Sequence, residues 1–128
     1  MPSGLRPDGG LPGSEFQPAF EKLRSAAAGL PEIVEATSWG TPSLTVRRKF
    51  LSRVKDADTV VLMCPVEEKE MLIEAAPDVY FETDHYRGWP AILVRIHRID
   101  PAELRHRLRR AFMLQAPKTL AKRLAEGR

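Results

Sequence analysis

The stretch that most constrains this chain runs from His85 to Ile96, where a polar aromatic turn, His85-Tyr86-Arg87-Gly88-Trp89-Pro90, leads into Ala91-Ile92-Leu93-Val94-Arg95-Ile96. Aliphatic and β-branched residues in unbroken succession suit a pleated strand. Pro90 has no N–H to give to a ladder, so it belongs at the strand's beginning or on an edge. Alternation puts Ile92, Val94 and Ile96 on one face and Ala91, Leu93, Arg95 and His97 on the other, so half of the strand should look inward.

The rest of the chain can be placed around that strand. A length of 128 residues suits one domain with its own core, expected over 14–128. Before it, residues 1–13 are so rich in Pro and Gly that a flexible segment is expected. Ser14 is placed to cap a helix running to about Ala28, with Phe16, Phe20, Leu23 and Ala27 on one side and Gly29 at its end. Ile33 to Ser38 reads as a strand and Trp39-Gly40-Thr41-Pro42 as a turn. Ser43–Val46 and Phe50–Val54 then bracket Arg47-Arg48-Lys49 as a hairpin with a basic tip. Thr59 to Cys64 is apolar throughout, as in a strand buried on both faces.

Pro65 introduces a short helix over Val66–Ala76, read with Met71, Leu72, Ala75 and Ala76 inward and Glu70 and Glu74 outward. Val79 to Thr83 is a strand able to pair with the run after Pro90. Asp100-Pro101-Ala102-Glu103 combines an N-cap carboxylate, a first-turn proline and a Glu at N3, the start of a helix reaching about Gln115. Leu104, Leu108, Ala111 and Phe112 form its inner stripe, with Arg105, Arg107, Arg109 and Arg110 outside. After Ala116-Pro117 a last helix turns Leu120, Ala121 and Leu124 inward and Lys118, Lys122 and Arg123 outward. Strands and helices in this succession make an α+β domain.

Several chemistries lack their residues. Cys64 is alone, so no disulfide can form within the chain and a reduced, cytoplasmic setting is expected. His85, His97 and His106 do not have metal-ligand spacing, and no Gly-rich loop precedes a helix, so neither metal nor cofactor is expected. No leader pattern and no membrane span is read, and the oligomeric state is left open. Charge is unevenly spread. Lys55 to Tyr86 holds nine carboxylates against two lysines, whereas Arg95 to the end holds ten cations against three acids. Such a basic end could steer an anionic partner, or simply neutralise the acidic middle across the fold.

Local phrases in this order resemble the MmcQ/YjbR family of small bacterial proteins over about Phe16 to Leu124. They are Gly40-Thr41-Pro42, Lys49-Phe50, His85-Tyr86-x-Gly88-Trp89-Pro90-x-x-Leu93-Val94-Arg95, Asp100-Pro101-x-Glu103-Leu104, and Ala111-Phe112 followed by Ala116-Pro117. The resemblance implies an antiparallel sheet packed by helices, related to frataxin-like folds and carrying a double-wing DNA-binding motif. Relatives resemble Val-x-Gly-Lys at the hairpin tip, and Arg48 stands here where that glycine would be.

On this reading DNA is the expected partner, bound weakly and mostly through its backbone. Arg47, Arg48, Lys49 and Arg53 would form one wing and His85, Tyr86, Arg87 and Trp89 the second. Arg105, Arg109, Lys118, Lys122 and Arg123 are held in reserve for phosphates. The plainer reading makes the basic tip a solvated turn and Trp89 a core residue at the sheet's end. A competing class is an enzyme or small-ligand protein with a pocket near His85, Tyr86 and Arg95, although no nucleophile accompanies them. A third is an interaction module using an exposed sheet edge.

Overall fold

Alternation and turn chemistry produce six strands, β1 (Ile33–Ser38), β2 (Thr41–Val46), β3 (Lys49–Asp56), β4 (Thr59–Met63), β5 (Tyr80–Phe81) and β6 (Ala91–Arg95). The helices are α1 (Gln17–Ala27), α2 (Val66–Ala75), α3 (Pro101–Gln115) and α4 (Lys118–Ala125). This computed structural model describes residues 14–126; the segment 1–13 expected to be flexible lies outside the described residues. All pairings are antiparallel and the strand order is β1-β2-β3-β4-β6-β5. The domain is therefore α+β, as its sequence implies.

The main core lies between the helices and one face of the sheet. Leu44, Val46, Leu51, Val54, Val60, Leu62, Ile92, Val94 and Ile96 meet Phe20 and Leu23 of α1, Leu104, Leu108 and Phe112 of α3, and Leu120 and Leu124 of α4. Asp100 caps α3 as its sequence requires, its carboxylate accepting from the Ala102 N–H at 3.0 Å and the Glu103 N–H at 3.4 Å. Glu103 does not complete a capping box. Its carboxylate instead accepts from the Tyr80 hydroxyl at 2.6 Å. Burial and that neighbouring carboxylate raise the Tyr80 pKa. Cys64, just after β4, lies in the same core, and burial pushes its thiol up to about 11.

Four expectations are corrected. The α-helical part of the first helix begins at Gln17, with Phe16 rather than Ser14 at the N-cap position and no side-chain capping bond. β2 begins at Thr41, because Pro42 pairs with Thr37 of β1 while its missing N–H points to the β3 side, where the register starts only at Ser43. In α2, Met71 and Ala75 face solvent while Leu72, Ile73 and Ala76 pack inward and Lys69 is buried. β6 is buried on both faces, because Ala91 and Leu93 form a second small cluster with Val61, covered by Phe50, Met63, Phe81 and Tyr86.

That second cluster sits on the sheet face opposite the helices. Register gives this face Val34, Ala36 and Ser38 from β1, Thr41, Ser43 and Thr45 from β2, and Arg53, Val61, Leu93 and Arg95 from the strands beyond. Among the described residues no helix covers it, and Tyr86 reaches over it from a 3-10 turn at Asp84–Tyr86.

Candidate nucleic-acid interface

Two turns carry the residues singled out by sequence. β3 and β6 run in the same direction, each antiparallel to β4 between them, so the β2–β3 turn and the loop before β6 emerge at one end of the sheet. The β2–β3 turn is Arg47-Arg48, with φ of 49° and 68°. Both central residues are left-handed, as a two-residue type I′ hairpin demands. Lys49 is already the first residue of β3, so the tip is two residues and not three. The left-handed backbone explains why a glycine suits position 48. Arg48→Gly should raise unfolding stability by about 1 kcal/mol, seen as a higher urea midpoint with an unchanged slope.

The cations of this wing are not equivalent. Arg47 holds Glu32 through both nitrogens of its fork, one bond at 2.9 Å. That hydrogen bonding, with Coulomb help from Arg47 and then Arg123, lowers the Glu32 pKa. Arg47 is thereby engaged, whereas Arg48 and Lys49 are exposed and meet no carboxylate among the described residues. Arg53 stands in the strand after the tip, as its sequence places it. It lies mid-strand on the helix-free face, donating to the Tyr86 hydroxyl at 3.1 Å and the Thr41 hydroxyl at 3.3 Å. It thus joins the first expected wing to the second.

In the second turn His85 meets Tyr86 edge to face, with ring centroids 4.9 Å apart. Arg87 pairs with Asp84 at 2.6 Å, so this turn adds little net charge. Trp89 is 64 % exposed, not a core residue at the sheet's end. The device that fixes the turn was not read from sequence. Lys69 of α2, only 1 % exposed, donates its ammonium to the carbonyls of Tyr86 at 2.9 Å and Trp89 at 2.7 Å. Its charge lies 2.8 Å from Glu82 Oε1, an oxygen without a well-aligned hydrogen bond, so that interaction is mainly electrostatic. A sequence signal existed: Lys69, Leu72, Ile73 and Ala76 are spaced i, i+3, i+4, i+7 along one side of α2.

The C-terminal cations divide in the same way. Arg107 and Arg110 both reach Glu68 of α2, at 3.4 and 2.5 Å; Arg110 stays exposed as expected, whereas Arg107 is drawn in. Arg109 donates to the Leu124 carbonyl at 3.3 Å, tying α3 to α4. Arg105 and Arg109 border a hollow of about 270 Å³ beside the end of α1, away from the helix-free face. Lys118, Lys122 and Arg123 are exposed on α4. Gln115 at the end of α3 donates to the Phe50 carbonyl at 2.8 Å, which brings the start of α4 to the β3 end of the β2–β3 turn. Of the three residues weighed for a small-ligand pocket, His85 and Tyr86 meet each other, while Arg95 is engaged with other groups. Arg95 stacks over the Phe81 ring at 4.2 Å and donates to the Pro77 carbonyl. Among the described residues no three His, Cys, Asp or Glu side chains are grouped to hold a metal.

A family model for YjbR matches residues 28–114, from the end of α1 almost to the end of α3. The chain belongs to the YjbR family. The uncharacterized protein Rv2570 of Mycobacterium tuberculosis and Mb2600 of Mycobacterium bovis are each 44 % identical to this chain over 52 residues. Those stretches span 41 % of this chain and 40 % of each relative's length. The crystal structure of Deinococcus radiodurans DR2400, whose domain is described as DUF419, superposes with a TM-score of 0.66 at 20 % identity, covering 84 % of this chain and 87 % of that one. The two share this antiparallel, helix-backed fold. Among the described residues no helix is long and apolar enough to cross a membrane.

Proposed function

We propose that this YjbR-family protein binds DNA weakly and with little sequence preference, through phosphate contacts made by the β2–β3 tip and α4. One observation carries the reading: Arg48 and Lys49 of the tip and Lys118 and Lys122 of α4 are exposed, and none has a carboxylate partner among the described residues. Cations left uncompensated on adjoining elements are suited to releasing counterions from a polyphosphate. A reduced cytoplasmic setting fits the reading, since Cys64 is single and buried.

The test is duplex binding by fluorescence anisotropy over a salt series. Log affinity should fall with log salt, and an Arg48→Ala/Lys49→Ala variant should have a slope shallower by about 0.9 for each phosphate it no longer neutralises. Lys118→Ala/Lys122→Ala should act in the same direction. An unchanged slope in both variants, or no binding at low salt, would remove the reading.

A further inference from the structure

We infer that the helix-free face of the sheet is a platform for a single-stranded nucleic acid, with bases stacking on Trp39 and Trp89 and phosphates meeting Arg53 and Arg95. The inference rests on the nucleic-acid reading above and adds to it a strand type and a second surface.

The arginines point there first. Arg24, Arg47, Arg87, Arg107 and Arg110 each pair with a carboxylate. Arg53 and Arg95, the two on this face, are half-buried like Arg107 but meet no carboxylate among the described residues. Among the described residues Arg53 donates to uncharged groups, the Thr41 and Tyr86 hydroxyls and the Val54 carbonyl at 3.4 Å. Arg95 is half-buried against Phe81 and donates to the Pro77 carbonyl at 3.2 Å. Asp56 and Asp58 share a rim hollow with Arg95, but neither reaches ion-pair distance of either arginine. A partly desolvated cation without a counter-ion attracts an anion from outside.

The indoles point the same way. Trp39 and Trp89 are the chain's two tryptophans, a residue type mostly buried in folded proteins, yet here they are 88 % and 64 % exposed. Trp39 opens the β1–β2 turn at φ 56°, a left-handed position that favours Asn, Asp or Gly. It gains neither burial nor turn stability there. Trp89 is held by its own carbonyl through Lys69, which leaves the ring outside. The turns that carry the two indoles stand at opposite corners of the sheet, with Thr41, Arg53 and Tyr86 hydrogen-bonded in a row between. The diagonal crosses several strands spaced about 4.8 Å apart, enough for a few nucleotides. Exposed rings stack on unpaired bases, whereas a duplex keeps its base faces to itself.

The test uses the full chain with oligo(dT), oligo(rU) and a duplex, each about twelve nucleotides long, read by labelled-strand anisotropy and intrinsic tryptophan emission. Single strands should bind more tightly than the duplex and quench the emission, and the two single-strand arms separate deoxyribose from ribose. Trp39→Ala and Trp89→Ala should each weaken single-strand binding roughly tenfold. Both rings are exposed, so these variants should keep the native melting temperature. Arg53→Gln or Arg95→Gln should reduce the single-strand salt slope by about 0.7. Duplex binding as tight as single-strand binding, or single-strand binding indifferent to both tryptophan variants, overturns the platform while leaving the tip and α4 reading intact. Single-strand binding that depends on the tryptophans, together with a duplex salt slope unchanged in both the tip and the α4 variants, supports the platform and overturns that other reading. Absence of binding to every oligonucleotide overturns both.

Discussion

Lys69→Met should lower unfolding stability by about 3 kcal/mol or more, measured as a fall in the urea midpoint. The substitution keeps an apolar side chain of similar length but removes the ammonium. Left behind are the Tyr86 and Trp89 carbonyls, which lose their bonds at 2.9 and 2.7 Å, and the Glu82 carboxylate, which loses its cation at 2.8 Å. Breaking one side of a buried ion pair costs more than the pair itself contributes, because the surviving groups remain desolvated. Glu82→Gln should recover part of the loss in the Lys69→Met background, a coupling that a double-mutant cycle reads directly. A loss below about 1 kcal/mol would show that water replaces the ammonium, and that Lys69 is not the anchor of the loop.

Glu68→Gln should cost about 2 kcal/mol at neutral pH and nothing in acid. Glu68 bridges α2 to α3 by accepting from both Arg107 and Arg110. The hydrogen bond from Arg110, and then the Coulomb attraction of Arg110 and Arg107, hold its pKa below the ordinary 4.5. A carboxyl lowered in the folded state contributes its full stability above the unfolded value, and loses it as pH falls through the folded one. The parent and the Gln variant should therefore differ most above pH 4.5 and converge as acid is added below it. Parallel curves across that window would remove Glu68 as the titrating clamp.

Most of the framework could be read from the chain because its signals are local. The alternation in β6, the stripe Leu104, Leu108, Ala111 and Phe112 on α3, and the Asp100 cap each depend on neighbours within a few residues. What was missed depends on distant ones. A lysine among Glu67, Glu68 and Glu70 reads as solvated, and only the folded loop, 17 residues on, supplies the Tyr86 carbonyl that makes burial tolerable. Ala91 and Leu93 read as the open side of a strand until Tyr86 folds over them. The candidate interface was mixed for the same reason. Tip and α4 residues kept their expected exposure, but Arg47, Arg87 and Arg109 had found partners within the fold, and Arg53, in its expected strand, is tied to Tyr86.

The strand order has a kinetic side. β1 through β4 form a meander in which each strand meets the next across a two-residue turn, so their pairings close short loops. β6 must then cross the whole span of α2 to reach β4, and β5, lodged on the outside of β6, has no partner until it arrives. Loop closure of that span is the slow entropic step, and the interactions that reward it are the ones centred on Lys69. Folding should thus proceed as an early four-strand meander followed by a late docking of β6. Removing the Lys69 ammonium should leave the first stage at its normal rate and delay the second, a separation visible in the refolding limb of a chevron.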